Sequence, residues 1–548
     1  MKACRYIVAI LLASLVLGAC GGKTETPAAG TTEEAPAASA PTKAAPAEAP
    51  TSAPEPAEGA KEGGTLVYVL PSDIVSFDPH ATRELVSGVV NAQMFDYLTR
   101  LDENGQAQPS LAKSWEISED NLTWTFHLQE GVTFHDGTPL TAEAVKINLD
   151  RILSPDSTLP SKRLLTGIQE VNAIDDSTLE IVTEFPFGPL PQNLSHYSLG
   201  IISPAALEKY DDQELAQHPV GSGPFKFVSY TPSESIVLER NEDYWNGAPY
   251  LDEVIFKPVP EPATRVVMLE TGEADVVTKI PAVEVERLSA VEGIRVDVVP
   301  FNRVFYVMLH NQKPPTDNVL VRQALNYAID KEAIAQNVFQ GLVKPATGPI
   351  SSKVFGYAET PRYEYNPEKA RELLAEAGYA DGLTLTFLVP QGRYLGGEEA
   401  ATLIQAYLAD VGVTAEMEVL EWAAYLDEID KPPEEARFHM AFIGFSPSTN
   451  DADWMLFTHY HCDSMAPASN NSTYTCDPEL DELLEAGRFT IDPEERKAIY
   501  AQVLERIVSS ARDIYLFEEA QITGVSANVH GLVYLPVELF HLEWVWKE

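Results

Sequence analysis

Residues 366–390 read NPEKARELLAEAGYADGLTLTFLVP, and this stretch decides the fold class. Asn366 can cap a helix whose first position, Pro367, has no amide hydrogen to leave unbonded. Ala370, Leu373, Leu374 and Ala377 then share one helical face, and Gly378 supplies the stop. Leu383, Leu385, Phe387 and Val389 follow at every second position, the spacing of a strand with one apolar face. A capped helix feeding directly into a strand predicts an α/β fold.

The same rhythm extends in both directions. Asp477-Pro478 and Asp492-Pro493 open two further capped helices. Towards the N-terminus, Thr65-Leu66-Val67-Tyr68-Val69-Leu70 reads as a strand, and Trp124, Phe126 and Leu128 alternate with polar residues in another. Residues 168–174 and 178–184 flank Asp175-Asp176-Ser177 as a hairpin would. There is no internal repeat. A chain of 548 residues is too long for one core, so two or three domains are expected.

Hydrophobic residues make up 45% and charged residues 22%, a globular composition. Acidic residues outnumber basic ones by 82 to 38, giving a net charge of −44. Such a surface repels phosphate backbones and anionic lipid, so no nucleic-acid partner is expected and the excess reads as a solvated surface.

Lys2 and Arg5 precede the apolar run YIVAILLASLVL at residues 6–17. That run has signal-peptide length and falls short of the ~20 residues a membrane helix needs. Leu17-Gly18-Ala19-Cys20 follows and looks like a lipobox, which implies cleavage before Cys20 and lipidation of its thiol. Residues 21–62 are Ala, Pro, Thr, Glu and Gly with hardly a larger aliphatic, and read as a tether that cannot bury a core. As a coil of about 40 residues it would reach roughly 35 Å. Cys4 leaves with the signal peptide, so Cys462 and Cys476 remain, and in an exported chain a disulfide is their default. It would close a loop of about 15 residues, worth roughly 3 kcal/mol.

Several blocks then carry a resemblance. Leu111-Ala112-Lys113-Ser114-Trp115, Thr125-Phe126-His127-Leu128 and Gly131-Val132-Thr133-Phe134-His135-Asp136-Gly137 come first. Val220-Gly221-Ser222-Gly223-Pro224-Phe225, Asn241-Glu242-Asp243-Tyr244-Trp245, Val321-Arg322-Gln323-Ala324-Leu325 and Asp492-Pro493-Glu494-Glu495-Arg496 follow in order. Together, over residues 63–540, the chain resembles the family 5 extracellular solute-binding proteins, the dipeptide-, oligopeptide- and nickel-binding components of ABC importers. The resemblance implies a two-lobed periplasmic-binding-protein fold with an extra domain on the first lobe and a ligand cleft between the lobes. Lobe one would hold residues 63–82, 196–298 and 515–548, the additional domain 83–195, and lobe two 299–514. Residues 299–302 and 510–517 are the hinge candidates. The expected protein is an extracytoplasmic, lipid-anchored monomer that passes a peptide to permease subunits, with no cofactor and no metal.

In the dipeptide receptors an arginine grips the ligand carboxylate, because its planar fork meets two oxygens. Val389-Pro390-Gln391-Gly392-Arg393-Tyr394 matches that segment and places Arg393 on the arginine. The aspartate that takes the ligand amine would align with Ser448 in Gly444-Phe445-Ser446-Pro447-Ser448-Thr449-Asn450-Asp451, or with Asp451 if the loop is gapped differently. Phe445, Tyr394 and Trp422 are candidates for aromatic lining, with core packing the alternative for Trp422. Ser72 and Asp73, just past the first strand, are the lobe-one candidates. Cys462 and Cys476 match a cysteine pair of the same receptors.

Three rivals are weighed. An enzyme lacks support, since no Walker loop, HExxH, CxxC pair or GxSxG is present and 82 acidic residues guarantee chance carboxylate pairs. A metal receptor would use His459-Tyr460-His461-Cys462-Asp463, whose histidines share a face only in a strand. A sensor or chaperone could use the same fold without an importer.

Overall fold

The computed structural model describes residues 59–548. The signal peptide, Cys20 and nearly all of the tether lie outside the described residues. The described chain alternates helices and strands throughout and is α/β.

The stretch around residue 366 folds as its sequence predicts. The helix Pro367–Glu376 is capped by Asn366, whose side chain accepts from the Lys369 amide, and Gly378 turns the chain away at φ +92°. The strand Leu383–Pro390 departs from simple alternation. Leu385, Phe387 and Val389 pack into one core while Leu388 packs into another on the opposite face. Its neighbours Val413–Leu420 and Met440–Phe445 run parallel to it. Parallel strands are covered on both sides, so their interior positions are apolar in unbroken runs. Each fully buried Leu or Phe there contributes about 1.5–3 kcal/mol relative to exposure.

One 11-stranded sheet runs through the molecule. At one end lie Val413–Leu420, Leu383–Pro390 and Met440–Phe445; at the other lie Val276–Thr278, Thr65–Leu70, Glu253–Pro258, Ser235–Arg240 and Phe225–Thr231. Two long antiparallel strands, Ile294–Leu309 and Asp513–Ser526, join the halves. Their register holds from Ile294↔Ser526 to Pro300↔Ala520, breaks, and resumes at Val304↔Glu518. Phe301, Asn302 and Arg303 therefore oppose Glu519 alone. Pro300 cannot donate to the ladder, and the extra residues bulge the strand and bend it. The bulge lies within residues 299–304 on the first strand, where the hinge candidate 299–302 falls, and opposite residues 518–520 on the second, just past the candidate 510–517.

Each lobe has its own core. Leu66, Tyr68, Phe225, Val254 and Phe256 belong to one, and Tyr306, Phe387, Phe442 and Tyr500 to the two cores that flank the other half of the sheet. A separate sheet of four strands, Ala112–Ile117, Thr123–Leu128, Thr178–Thr183 and Ile168–Asp175, carries a further core of Trp124, Phe126, Leu128 and Val145. The hairpin at Asp175–Ser177 closes as expected, with Asp175 accepting from the Ser177 amide at 2.9 Å. The helix Leu85–Asn91 belongs by packing to the lobe-one core, through Val86, Val89 and Val90. The boundary at residue 83 expected from the sequence would put this helix in the additional domain. Among the described residues no helix is long and apolar enough to cross a membrane.

Candidate functional site

A cleft of about 1120 Å³ opens between the lobes over the bulge. Its floor is formed by Phe301, Arg303 and Glu519. Arg303 Nη1 lies 2.5 Å from Glu519 Oε2, and its guanidinium sits 4.9 Å from the Phe301 ring. Burial disfavours the Arg303 cation, but the carboxylates of Glu519 and Glu538 outweigh it and hold its pKa above the ordinary value. A second cleft cation, Lys279, pairs with Glu538 at 2.9 Å. A third, Arg265, donates to the carbonyls of Val259, Pro260 and Lys279.

The lobe-two wall begins where Leu383–Pro390 ends. Gly392 at φ +60° and Gly396 at φ +76° bracket a short loop that presents Arg393 to the cleft. Arg393 is exposed and makes no hydrogen bond or ion pair among the described residues; it rests over the rings of Trp422 (4.9 Å) and Tyr394 (5.6 Å). Tyr394 also lines the cleft. Its hydroxyl donates to the Gly444 carbonyl at 3.2 Å, and burial pushes its phenol pKa up. Phe445 and Ser448 reach the same wall. Phe445 is braced edge-on by His459 at 4.1 Å. Ser72 lines the opposite wall, at the end of the strand Thr65–Leu70.

Three residues expected at the site are placed elsewhere. Asp451 is fully buried, caps the helix Ala452–Tyr460 through the Asp453 amide, and accepts two bonds from Arg496. Trp422 stacks on Tyr425 at 5.5 Å and lies behind Arg393, outside the cleft lining. Asp73 turns away to accept from the Tyr230 hydroxyl and the Ser233 amide. A carboxylate tied to that many donors is held in place and is not presented to the cleft.

The histidines considered as metal ligands do not converge. His459 ends a helix rather than a strand, and its ring bonds the Met455 carbonyl at 3.0 Å. Burial lowers its pKa to about 3. His461 accepts from the Asp463 amide. Among the described residues the one cluster with metal-ligand types is Cys462, Cys476 and Asp481, and the two sulfurs in it are bonded to each other.

Arg303, Glu519, Arg83, Arg163 and Trp454 also line the cleft and were not expected there. One signal for Arg303 lies in the sequence: it is the single charge in the run from Val298 to Leu309, where Asn302 beside it is the only amide.

Residues 106–467 match the family described as bacterial extracellular solute-binding proteins, family 5 Middle. The glutathione-binding protein GsiB of Pectobacterium atrosepticum is 33% identical over 479 residues, covering 87% of this chain and 93% of that protein. Among solved structures, the periplasmic binding protein DppA of Helicobacter pylori, in complex with the peptide STSA, superposes with a TM-score of 0.76 at 29% identity, covering 89% of this chain and 99% of the other. HbpA2 of Haemophilus parasuis superposes with a TM-score of 0.79 at 27% identity, covering 88% and 100%.

Proposed function

The chain belongs to the bacterial extracellular solute-binding proteins of family 5, and from that premise we propose that it is the receptor of an ABC importer for peptides. It is a binding protein and not an enzyme. The lobes close over the ligand because only the closed form lets one ligand touch both walls, so binding shifts the population toward closure. The permease then takes the ligand from the closed form.

The observation that carries this reading is Arg393, an unpaired guanidinium held on the wall of a cleft large enough for a short peptide. Its rings below and open face above suit a bidentate grip on a terminal carboxylate. Two of the three named relatives bind peptides, DppA in its complex with the peptide STSA and GsiB with glutathione, which supports the class. Ser448 and Ser72 offer neutral hydrogen-bonding groups on the two walls. The bulge at residues 300–304 is the hinge of this reading. The lobe boundaries given by the sequence, with 83–195 as a separate domain, remain our assignment, except that the helix Leu85–Asn91 goes with lobe one.

We place the protein outside the cytoplasmic membrane, anchored by lipid on Cys20, with the Cys462–Cys476 disulfide formed after export. Substitution Cys20→Ser should release it from the membrane fraction. The deciding experiment for function is mass spectrometry of the solute that co-purifies with the protein, followed by calorimetric titration with di- and tripeptides, glutathione included. Recovery of a peptide that binds at micromolar concentration or below supports the reading; a bound sugar or metal chelate, with no peptide binding, overturns it.

A further inference from the structure

Two cleft arginines on the lobe-one wall have no hydrogen-bonding or charged partner for their guanidinium groups among the described residues. Arg83 precedes the helix Leu85–Asn91, and Arg163 lies in the turn Pro160–Leu165. Among the described residues neither guanidinium makes a hydrogen bond or an ion pair, and Arg83 Nε is buried with nothing to donate to. The chain carries 82 acidic residues against 38 basic ones, so a cation without a carboxylate is the unexpected case. The nearest acid in sequence, Glu84, is committed: its two oxygens accept from the amides of Val86 and Ser87 and cap that helix. The other cleft cations all have partners of their own, Arg303 with Glu519, Lys279 with Glu538 and Arg265 with three carbonyls, apart from Arg393.

Aromatic residues hold the two arginines in place. The Tyr197 hydroxyl donates to the Arg83 carbonyl at 2.7 Å, and its ring lies so close to Gly88 that any Cβ there would meet it at 2.6 Å. Arg163 sits 5.3 Å over the ring of Trp454, which belongs to lobe two. Burial first, and then the neighbouring charge of Arg83, draw the Arg163 pKa down to about 10. The two segments are tied together by the Ser161 hydroxyl, which donates to the His80 carbonyl at 3.0 Å, and the charge of Arg83 weighs on Arg163 with no ion pair among the described residues to relieve it. An anion between them would relieve both and gain several charge-assisted hydrogen bonds.

We infer that Arg83 and Arg163 form a second anion subsite in the cleft, distinct from Arg393, and that the cognate ligand is an acidic peptide with one carboxylate for each subsite. This rests on the peptide reading and narrows it.

The test is calorimetric titration of the full chain with alanine tripeptides carrying one Glu at each position in turn. Each is compared with its Gln counterpart, and tricarballylate serves as a polyacid that is not a peptide. The wild type should bind the best Glu peptide about tenfold or more tighter than its Gln partner, the strength of a charge-assisted pairing. In Arg83→Gln/Arg163→Gln that ratio should fall below about threefold, while Arg83→Lys/Arg163→Lys keeps part of it. Thermal melts of the unliganded variants check folding, and the ratio is read only on variants that melt as the wild type does. A wild-type ratio near one at every position, or a ratio unchanged in the Gln variant, overturns the subsite and leaves the peptide reading standing. Tricarballylate binding that depends on the two arginines, with no peptide binding, upholds the subsite and overturns the peptide reading. No binding by any probe overturns both.

Discussion

Arg496 grips the carboxylate of Asp451 with two hydrogen bonds of 2.8 and 2.9 Å, in a place where both side chains are almost sealed from water. The pair ties the start of the helix Ala452–Tyr460 to the helix Pro493–Ser509, directly behind the Phe445–Ser448 wall. Removing one member leaves the other charge buried alone. Asp451→Ala should therefore lower the unfolding free energy by about 3–5 kcal/mol, measured by urea denaturation. A loss under about 1 kcal/mol would return Asp451 to the list of ligand contacts.

Arg393→Ala should weaken a bound peptide by about tenfold or more, the loss of a charge-assisted hydrogen bond. The same peptide with its C-terminus amidated should bind wild type and variant alike, because the interaction has already been removed from the other side. Unequal binding of the amide would mean that Arg393 acts on some group other than the terminal carboxylate.

Acid should destabilise the protein below about pH 6.5. His80, His196 and His459 are wholly buried, and burial lowers their pKa values to about 4, 3 and 3. Between the ordinary histidine value and those values the unfolded chain takes up protons that the folded chain does not, so stability falls with pH. Each contributes about 1.4 kcal/mol per pH unit at full effect. Asp513 opposes them, since burial raises its pKa to about 6 and the folded state then binds the extra proton. These four groups together give a net loss on the order of 3 kcal/mol between pH 6.5 and 5 in denaturant titrations, and His135 and His310, whose pKa values burial also lowers to about 4, add to it. Stability flat or rising over that range would contradict the neutral burial of these rings.

The Cys462–Cys476 bond closes a segment of 14 residues in sequence separation. Its reduction, or the double change to serine, should lower stability by about 3 kcal/mol on the chain-entropy account. Thiol titration of the oxidised, denatured protein should find no free sulfhydryl from this pair.

Much of the fold was legible in the sequence because it is set locally. Asn366, Pro367 and Gly378 mark the ends of a helix by backbone chemistry that needs no partner. The alternation through residues 123–128 survives as a strand with Trp124, Phe126 and Leu128 inside. The site was legible only in part. Arg393, Tyr394, Phe445, Ser448 and Ser72 line the cleft, whereas Asp451, Trp422 and Asp73 do not.

The sequence by itself determined the α/β class, the ends of the capped helices, and the loop that carries Arg393. Only the tertiary structure decided which charges are spent and which are free. Asp451 meets Arg496 45 residues away, and Arg303 meets Glu519 216 residues away, across the two crossing strands. Arg83 and Arg163 line the same cleft from separate segments, and among the described residues neither makes an ion pair. A carboxylate looks the same in sequence whether it will face a ligand or an arginine. The difference lies in long-range pairing across the sheet, which local pattern does not encode.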